Sequence, residues 1–115
     1  EGLSHLTNVE GGFTIGQNKK LENFSGLNKL ELIGGSLFIS SNPALKSLEG
    51  LETVTSITDE IFIGGTIDYQ APNPELVNFC PLSEVILNKD DDKVSIFNNG
   101  YNPSKKDLRD GNCKK

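Results

Sequence analysis

The sequence predicts a solenoid of short parallel β-strands and turns, closed by a short helix at its C-terminal end. Three observations lead to this fold class: a 24-residue internal repeat, alternating apolar residues within each repeat, and an asparagine at the same place in each repeat. A fixed period of about 20 to 50 residues is typical of repeat proteins, in which each copy buries its apolar edge against its neighbours.

The first two copies, 3–26 and 27–50, align without a gap. A third copy at 51–81 carries its Asn-Pro-x-Leu corner 31 residues after that of the second copy, so seven residues are inserted, and we expect them to form a loop within 64–72. A fourth, looser copy covers 82–102, with a strand at 94–97. Nine positions coincide between the first two copies, and their members in the second are Leu27, Leu30, Ile33, Leu37, Ile39, Asn42, Leu45, Leu48 and Gly50.

Each copy has the alternation of a half-buried strand. Leu37 and Ile39 are predicted to point inward, together with Leu45 and Leu48 further along the copy, and Phe38 is therefore forced outward. An asparagine follows each strand and can turn its amide inward to bond the backbone of the bend. Stacked copies should therefore form an asparagine ladder of Asn18, Asn42, Asn73 and Asn99.

The run at 26–51, GLNKLELIGGSLFISSNPALKSLEGL, resembles the receptor L-domain branch of the leucine-rich repeats. That branch occurs in growth-factor receptor ectodomains, fungal wall proteins and bacterial surface proteins. The resemblance covers nearly the whole chain and implies one right-handed leucine-rich-repeat solenoid on a secreted or cell-surface protein. It does not specify a ligand, because members of one fold bind unrelated partners.

The segment 80–115 is interpreted as a C-terminal cap, since the last copy of an open solenoid must cover its apolar end. A helix is predicted over 103–110, with Asn102 as N-cap and Pro103 in the first helical position. Ser104 and Asp107 have the spacing of a capping box. Gly111 can end the helix.

The only two cysteines, Cys80 and Cys113, flank this helix. We predict a disulfide that ties the cap to the last regular copy and is worth about 3 to 4 kcal/mol in the chain-entropy model. Two free thiols are the alternative. A disulfide would imply an oxidising compartment outside the cytoplasm.

Charge and hydropathy exclude several partners. The net charge is −5 and the lysines form only isolated pairs, so no nucleic-acid surface is expected. No apolar run approaches the roughly 20 residues that span a bilayer, so membrane insertion of this segment is not expected. With two cysteines and no histidine nearby, a zinc site is not expected either, and no cofactor is predicted.

Two candidates for site chemistry are weak. His5 is the only histidine and is interpreted as a solvent-facing turn residue. The run Asp90, Asp91 and Asp92 offers oxygen ligands for calcium but lacks the alternation and glycine of an EF-hand, which favours a solvated loop. Cation binding by this run stays open.

The outward column of the strands is the strongest functional signal. It reads Thr14, Phe38, Phe62 and Ser95 in successive copies, with Ser36 and Glu60 in the neighbouring column. Two adjacent aromatic rings on a polar sheet resemble a ligand-binding patch. The alternative is that the rings pack beneath an inserted or terminal segment such as 68–74.

The sequence thus predicts a non-enzymatic extracellular binding or adhesion module that recognises a protein or glycan on its sheet face. A structural spacer of a longer cell-surface protein is the main alternative. A calcium-dependent, polysaccharide-active β-helix enzyme is a third, but it would need clustered acids and a basic residue on one face. Ligand identity and oligomeric state stay open.

Overall fold

The computed structural model describes residues 5–66 and 68–115, so Leu3, the first position of the first predicted copy, lies outside the described residues. The chain forms two parallel β-sheets and a few short helices. The first sheet has the order β1-β3-β5 and the second the order β2-β4-β6-β7. The strands are β1 (Asn8–Val9), β2 (Phe13–Gly16), β3 (Leu32–Ile33), β4 (Leu37–Ser40), β5 (Ser56–Ile57), β6 (Ile61–Ile63) and β7 (Val94–Ile96), and the α-helices are α1 (Ser83–Leu87) and α2 (Lys105–Arg109).

Strand pairing follows the 24-residue period. Phe13 lies beside Leu37 and Leu37 beside Ile61 in the second sheet, and Val9 lies beside Ile33 in the first. All pairs are parallel. The register predicted from the sequence is therefore confirmed between the first three copies.

The core is built from the inward positions of the repeat, both within the strands and in the segments that follow them. Leu37, Ile39, Leu45 and Leu48 are all fully buried, as predicted. The corresponding residues of the two outer strands, β2 and β7, are only half-buried because each has a neighbouring strand on one side alone. Burial is therefore deepest in the middle copies.

The predicted asparagine ladder is present. Asn42 and Asn73 are completely buried, and the Asn42 side-chain amide donates to Asn73 Oδ1 (3.1 Å) and to the Ile15 carbonyl (3.1 Å). Asn73 Nδ2 donates in the same way to Asn99 Oδ1 (2.9 Å). A buried amide is stable here because both its donors and its acceptor are satisfied.

One or two residues beyond each strand of the second sheet, the chain takes a left-handed conformation at an equivalent position of the repeat. Gln17, Ser41 and Asn98 have φ values of 57°, 58° and 65°, and Gly65 has 93°. Such a residue turns the chain sharply out of the strand towards the corner asparagine. The bend is thus a repeated part of the fold rather than a local irregularity.

The C-terminal helix differs from the prediction in length and in its N-cap. Helix α2 is five residues long, shorter than 103–110, because its first turn starts only after Ser104. The capping box is confirmed: Ser104 Oγ accepts from the Asp107 N–H (3.1 Å), and Asp107 Oδ2 accepts from the Ser104 N–H (2.9 Å). Hydrogen bonds to the Asp107 carboxylate, first from the Ser104 backbone N–H and second from the Ser104 side chain, hold the pKa of Asp107 below its usual value.

Asn102 was therefore wrongly predicted as the N-cap. Its Oδ1 instead accepts from the backbone N–H of Asn99 and from Asn99 Nδ2, both at 3.0 Å. A reciprocal pair of bonds at Ser104 satisfies two orphan donors at once, so that residue begins the helix.

Helix α1 was not predicted. It occupies the start of the fourth copy, where Val85 and Ile86 pack into the core. Lys89, just beyond it, donates its ammonium group to the Ile57 carbonyl (2.6 Å) at the edge of the first sheet. Five helical residues are too few to show a helical period in the sequence.

Cys80 and Cys113 form the predicted disulfide, with Cα atoms 4.9 Å apart, which excludes the two-thiol alternative. The Phe79 N–H donates to the Cys113 carbonyl (2.7 Å), so the backbones on both sides of the bridge are also joined. A structural disulfide is consistent with an oxidising environment.

Candidate ligand-binding face

The second sheet brings the predicted outward column together. Thr14 pairs with Phe38, Phe38 with Phe62, and Phe62 with Ser95. The Phe38 and Phe62 rings are stacked, with centroids 4.9 Å apart and planes 6° from parallel. This distance agrees with the strand spacing of about 4.8 Å, so the parallel register itself produces the stack.

The two rings differ in accessibility. Phe38 has 38% of its surface exposed, whereas Phe62 is half-buried. Thr14, on the other side of Phe38, is small and exposed, which leaves the outer part of that ring open to solvent. Phe38 is therefore the more accessible member of the pair.

The inserted segment forms a loop next to the stack and leaves Phe38 exposed. Together they enclose a small, mostly apolar cleft of about 160 Å³. Tyr69, from the loop, is 70% exposed and stands at its mouth. The cleft is lined by Phe38, Ser40, Phe62, Gly65, Thr66, Tyr69 and Ala71.

Backbone hydrogen bonds hold this loop in place. The Thr66 N–H donates to the Tyr69 carbonyl (2.8 Å), and the Ala71 N–H donates to the Gly64 carbonyl (3.1 Å). Gly64 has φ of 88°, and a Cβ atom there would lie 1.7 Å from the Phe97 carbonyl oxygen. Only glycine fits at this position, so the loop leaves the strand in a fixed direction.

The four polar residues predicted to lie around the two rings differ in their exposure to solvent. Ser36 is half-buried, and its hydroxyl accepts from the Glu60 N–H (3.0 Å), which commits one lone pair to the sheet. Glu60 and Ser95 are half-buried as well, and Thr14 is exposed. Thr14 is the most accessible of the four polar residues.

Tyr69 belongs to this surface but was missed by the sequence analysis. It lies in the insertion, outside the repeating positions, so no periodic signal assigns it to the outward column. The only signal available was the location of the seven extra residues immediately after Phe62 and its strand. An insertion at the end of a strand emerges as a loop on one face of the repeat, beside the end of that strand.

The other candidates do not form a reactive cluster. His5 is exposed. Asp91 pairs with Lys105 at 3.0 Å, in a short 3₁₀ turn at Asp91–Lys93. Within 5–66 and 68–115, no group of three or more His, Cys, Asp or Glu side chains is placed to hold a metal ion. No helix in these same ranges is long and apolar enough to cross a membrane.

Comparison of the chain with protein-family models, curated proteins and solved structures finds no match.

Proposed function

We propose that this chain is a right-handed leucine-rich-repeat solenoid of receptor L-domain type that acts as a non-enzymatic extracellular binding or adhesion module. Its ligand is a protein or glycan that contacts the sheet face at Phe38 and Phe62. The observation that carries the proposal is the aromatic stack of an exposed Phe38 on a half-buried Phe62, which together line an apolar cleft. The disulfide supports a secreted or cell-surface location.

The exposed part of Phe38 is large enough to matter for affinity. A phenylalanine buries about 150 to 250 Å², so covering its exposed 38% would contribute about 2 kcal/mol at roughly 25 cal/mol per Å². That exceeds the roughly 1.4 kcal/mol that corresponds to a tenfold change in affinity. Tyr69 adds a second exposed ring with a polar hydroxyl, a residue type common in binding hot spots.

A structural spacer of a longer cell-surface protein is the second candidate function. It requires only the stacked strands and the ladder, and it predicts no ligand at any exposed patch. The aromatic stack favours binding, because a spacer gains nothing from an apolar ring in contact with water.

The test is a screen of the intact, oxidised chain on glycan and protein-ectodomain arrays, followed by affinity measurements with Phe38→Ala and Phe62→Ala. Each substitution should weaken binding at least tenfold. Loss of the aromatic stack should cost each variant about 1 kcal/mol of stability, and Phe62→Ala should cost more than Phe38→Ala because its ring is half-buried. Phe97→Ala is the matched control, since Phe97 is 37% exposed but lies outside the cleft.

A ligand whose affinity is the same for both Phe variants and the control would rule out this face as the site. Absence of any ligand on the arrays would leave the spacer as the better description.

A further inference from the structure

The hydrogen bonds between neighbouring corners of the ladder have a direction. Asn42 and Asn73 each accept, through Oδ1, from both the backbone and side-chain amides of the asparagine in the copy before, whereas Asn99 Oδ1 accepts only from Asn73 Nδ2. Asn42 Oδ1 accepts from Asn18 N (3.2 Å) and Nδ2 (3.3 Å), and Asn73 Oδ1 accepts from Asn42 N (3.0 Å) and Nδ2 (3.1 Å). The side-chain bonds of the ladder therefore all run in one direction, from the asparagine of one copy to Oδ1 of the asparagine in the next.

At the C-terminal end the chain closes the ladder with its own residues. Asn102 Oδ1 accepts from Asn99 N and Nδ2, which reproduces the double acceptance seen at Asn42 and Asn73.

The first sheet is also closed at its C-terminal edge. Between its strands, the carbonyl of Ile33 accepts from the backbone N–H of Thr58. The equivalent carbonyl of Ile57 accepts from the Lys89 ammonium group instead.

The N-terminal end lacks an equivalent closure among the described residues. Asn18 is exposed, and within 5–66 and 68–115 no group donates to its Oδ1. Phe13 and Ile15 are only half-buried, although their counterparts in β4 are fully buried. A second, mostly apolar cleft of about 270 Å³ opens at the same end, between Ile15, Leu21 and Phe24.

The free backbone groups of β2 also face this end. The Gly64 N–H donates back to the Ile39 carbonyl of the preceding copy (2.8 Å). Gly16 holds the position of Gly64 in the first copy, so its N–H points to the open side, as does that of Thr14 two residues earlier. An outer strand of this kind is a template for another strand.

We propose that the N-terminal edge, defined as β1, β2 and Asn18, is a docking surface for one further coil of the same 24-residue pattern. The coil would place a parallel strand with two inward apolar residues beside β2. Its asparagine, three residues after the second of these, would donate from its backbone and side-chain amides to Asn18 Oδ1.

The hydrogen-bond pattern selects this occupant over a second copy of the chain. Two copies that meet about a two-fold axis would pair their β2 strands antiparallel, which does not place an incoming corner asparagine over Asn18. A coil joined directly to the chain, as successive copies are at Gly50 and Leu51, would bear a smaller ordering cost than a coil on a separate chain.

The experiment adds a copy of 27–50 between Gly2 and Leu3, which preserves the 24-residue period. Amide hydrogen exchange at Thr14 and Gly16 is expected to slow at least tenfold relative to the original chain, and the denaturation midpoint should rise. The control carries Leu37→Ser, Ile39→Ser and Asn42→Ser in the inserted copy only. It should leave both exchange rates unchanged.

Unchanged exchange in a folded, extended chain, or equal protection by the control, would overturn the proposal. So would concentration-dependent self-association of the original chain through this edge, measured by sedimentation. If the extended chain does not fold, the free 27–50 peptide at millimolar concentration should shift the amide resonances of Thr14, Gly16 and the Asn18 side chain. Absence of these shifts would also overturn it.

Discussion

Replacing Asn42 by aspartate tests the ladder at one of its two fully buried positions. Asn42 is fully buried, and its Nδ2 atom donates to two oxygens, the Ile15 carbonyl and Asn73 Oδ1, both at 3.1 Å. The substitution keeps the volume and the acceptor that Asn18 uses, but it replaces the donating nitrogen by an oxygen. The Ile15 carbonyl oxygen and Asn73 Oδ1, both acceptors, would then face the new carboxyl oxygen in the core.

The expected loss of stability depends on pH. At about pH 3 the protonated carboxyl can restore one of the two donations, so Asn42→Asp should cost about 1 to 3 kcal/mol. Burial among oxygens raises the pKa of the new carboxyl above its unfolded value of about 3.9. The stability difference from the original chain should therefore grow as pH rises above that value, by up to about 1.4 kcal/mol per pH unit until the folded pKa is passed.

The assay is denaturant unfolding followed by circular dichroism at pH 3, 5 and 7, with the disulfide intact. Subtracting the original chain at each pH removes the contributions of the native carboxylates. Asn28→Asp is the control, because Asn28 is exposed and its change should stay within about 0.5 kcal/mol at every pH. A loss below 1 kcal/mol, or one that does not vary with pH, would refute the structural role given to the ladder.

Two further predictions concern the core and the cap. Leu45→Ala should cost about 2 to 5 kcal/mol in denaturant melts, because Leu45 is fully buried, whereas Leu32→Ala, at a residue 37% exposed, should cost less than half as much. Equal losses would contradict the assigned inward positions. Reduction of Cys80 and Cys113, which are 33 residues apart, should cost about 3 to 4 kcal/mol. Alkylation of the native, unreduced protein should label neither cysteine, and labelling of both by mass spectrometry would contradict the bond.

The sequence by itself determined the repeated features of the fold. The 24-residue spacing specified which strands pair and in which register, and the alternation around Leu37 and Ile39 specified which side chains are buried. It also placed an asparagine at each corner. These features are predictable because the same local constraint occurs in several copies, so each copy supports the interpretation of the others.

The capping box and the disulfide were also accessible from the sequence, for a different reason. Ser104 and Asp107 satisfy each other across three residues, so their spacing alone carries the signal. Cys80 and Cys113 are the only cysteines, which leaves a single intramolecular pairing.

The tertiary structure decided the features that occur once. Asn102 ends the ladder rather than beginning the helix, and Lys89 closes the edge of the first sheet with its side chain. Tyr69 reaches the Phe38 cleft only because the inserted loop folds back on itself just beyond the end of β6. Each of these contacts joins residues without a periodic relation, and its geometry depends on where the stacked strands leave an unpaired acceptor or an open apolar edge. That is a property of the assembled sheets and not of any local stretch of sequence.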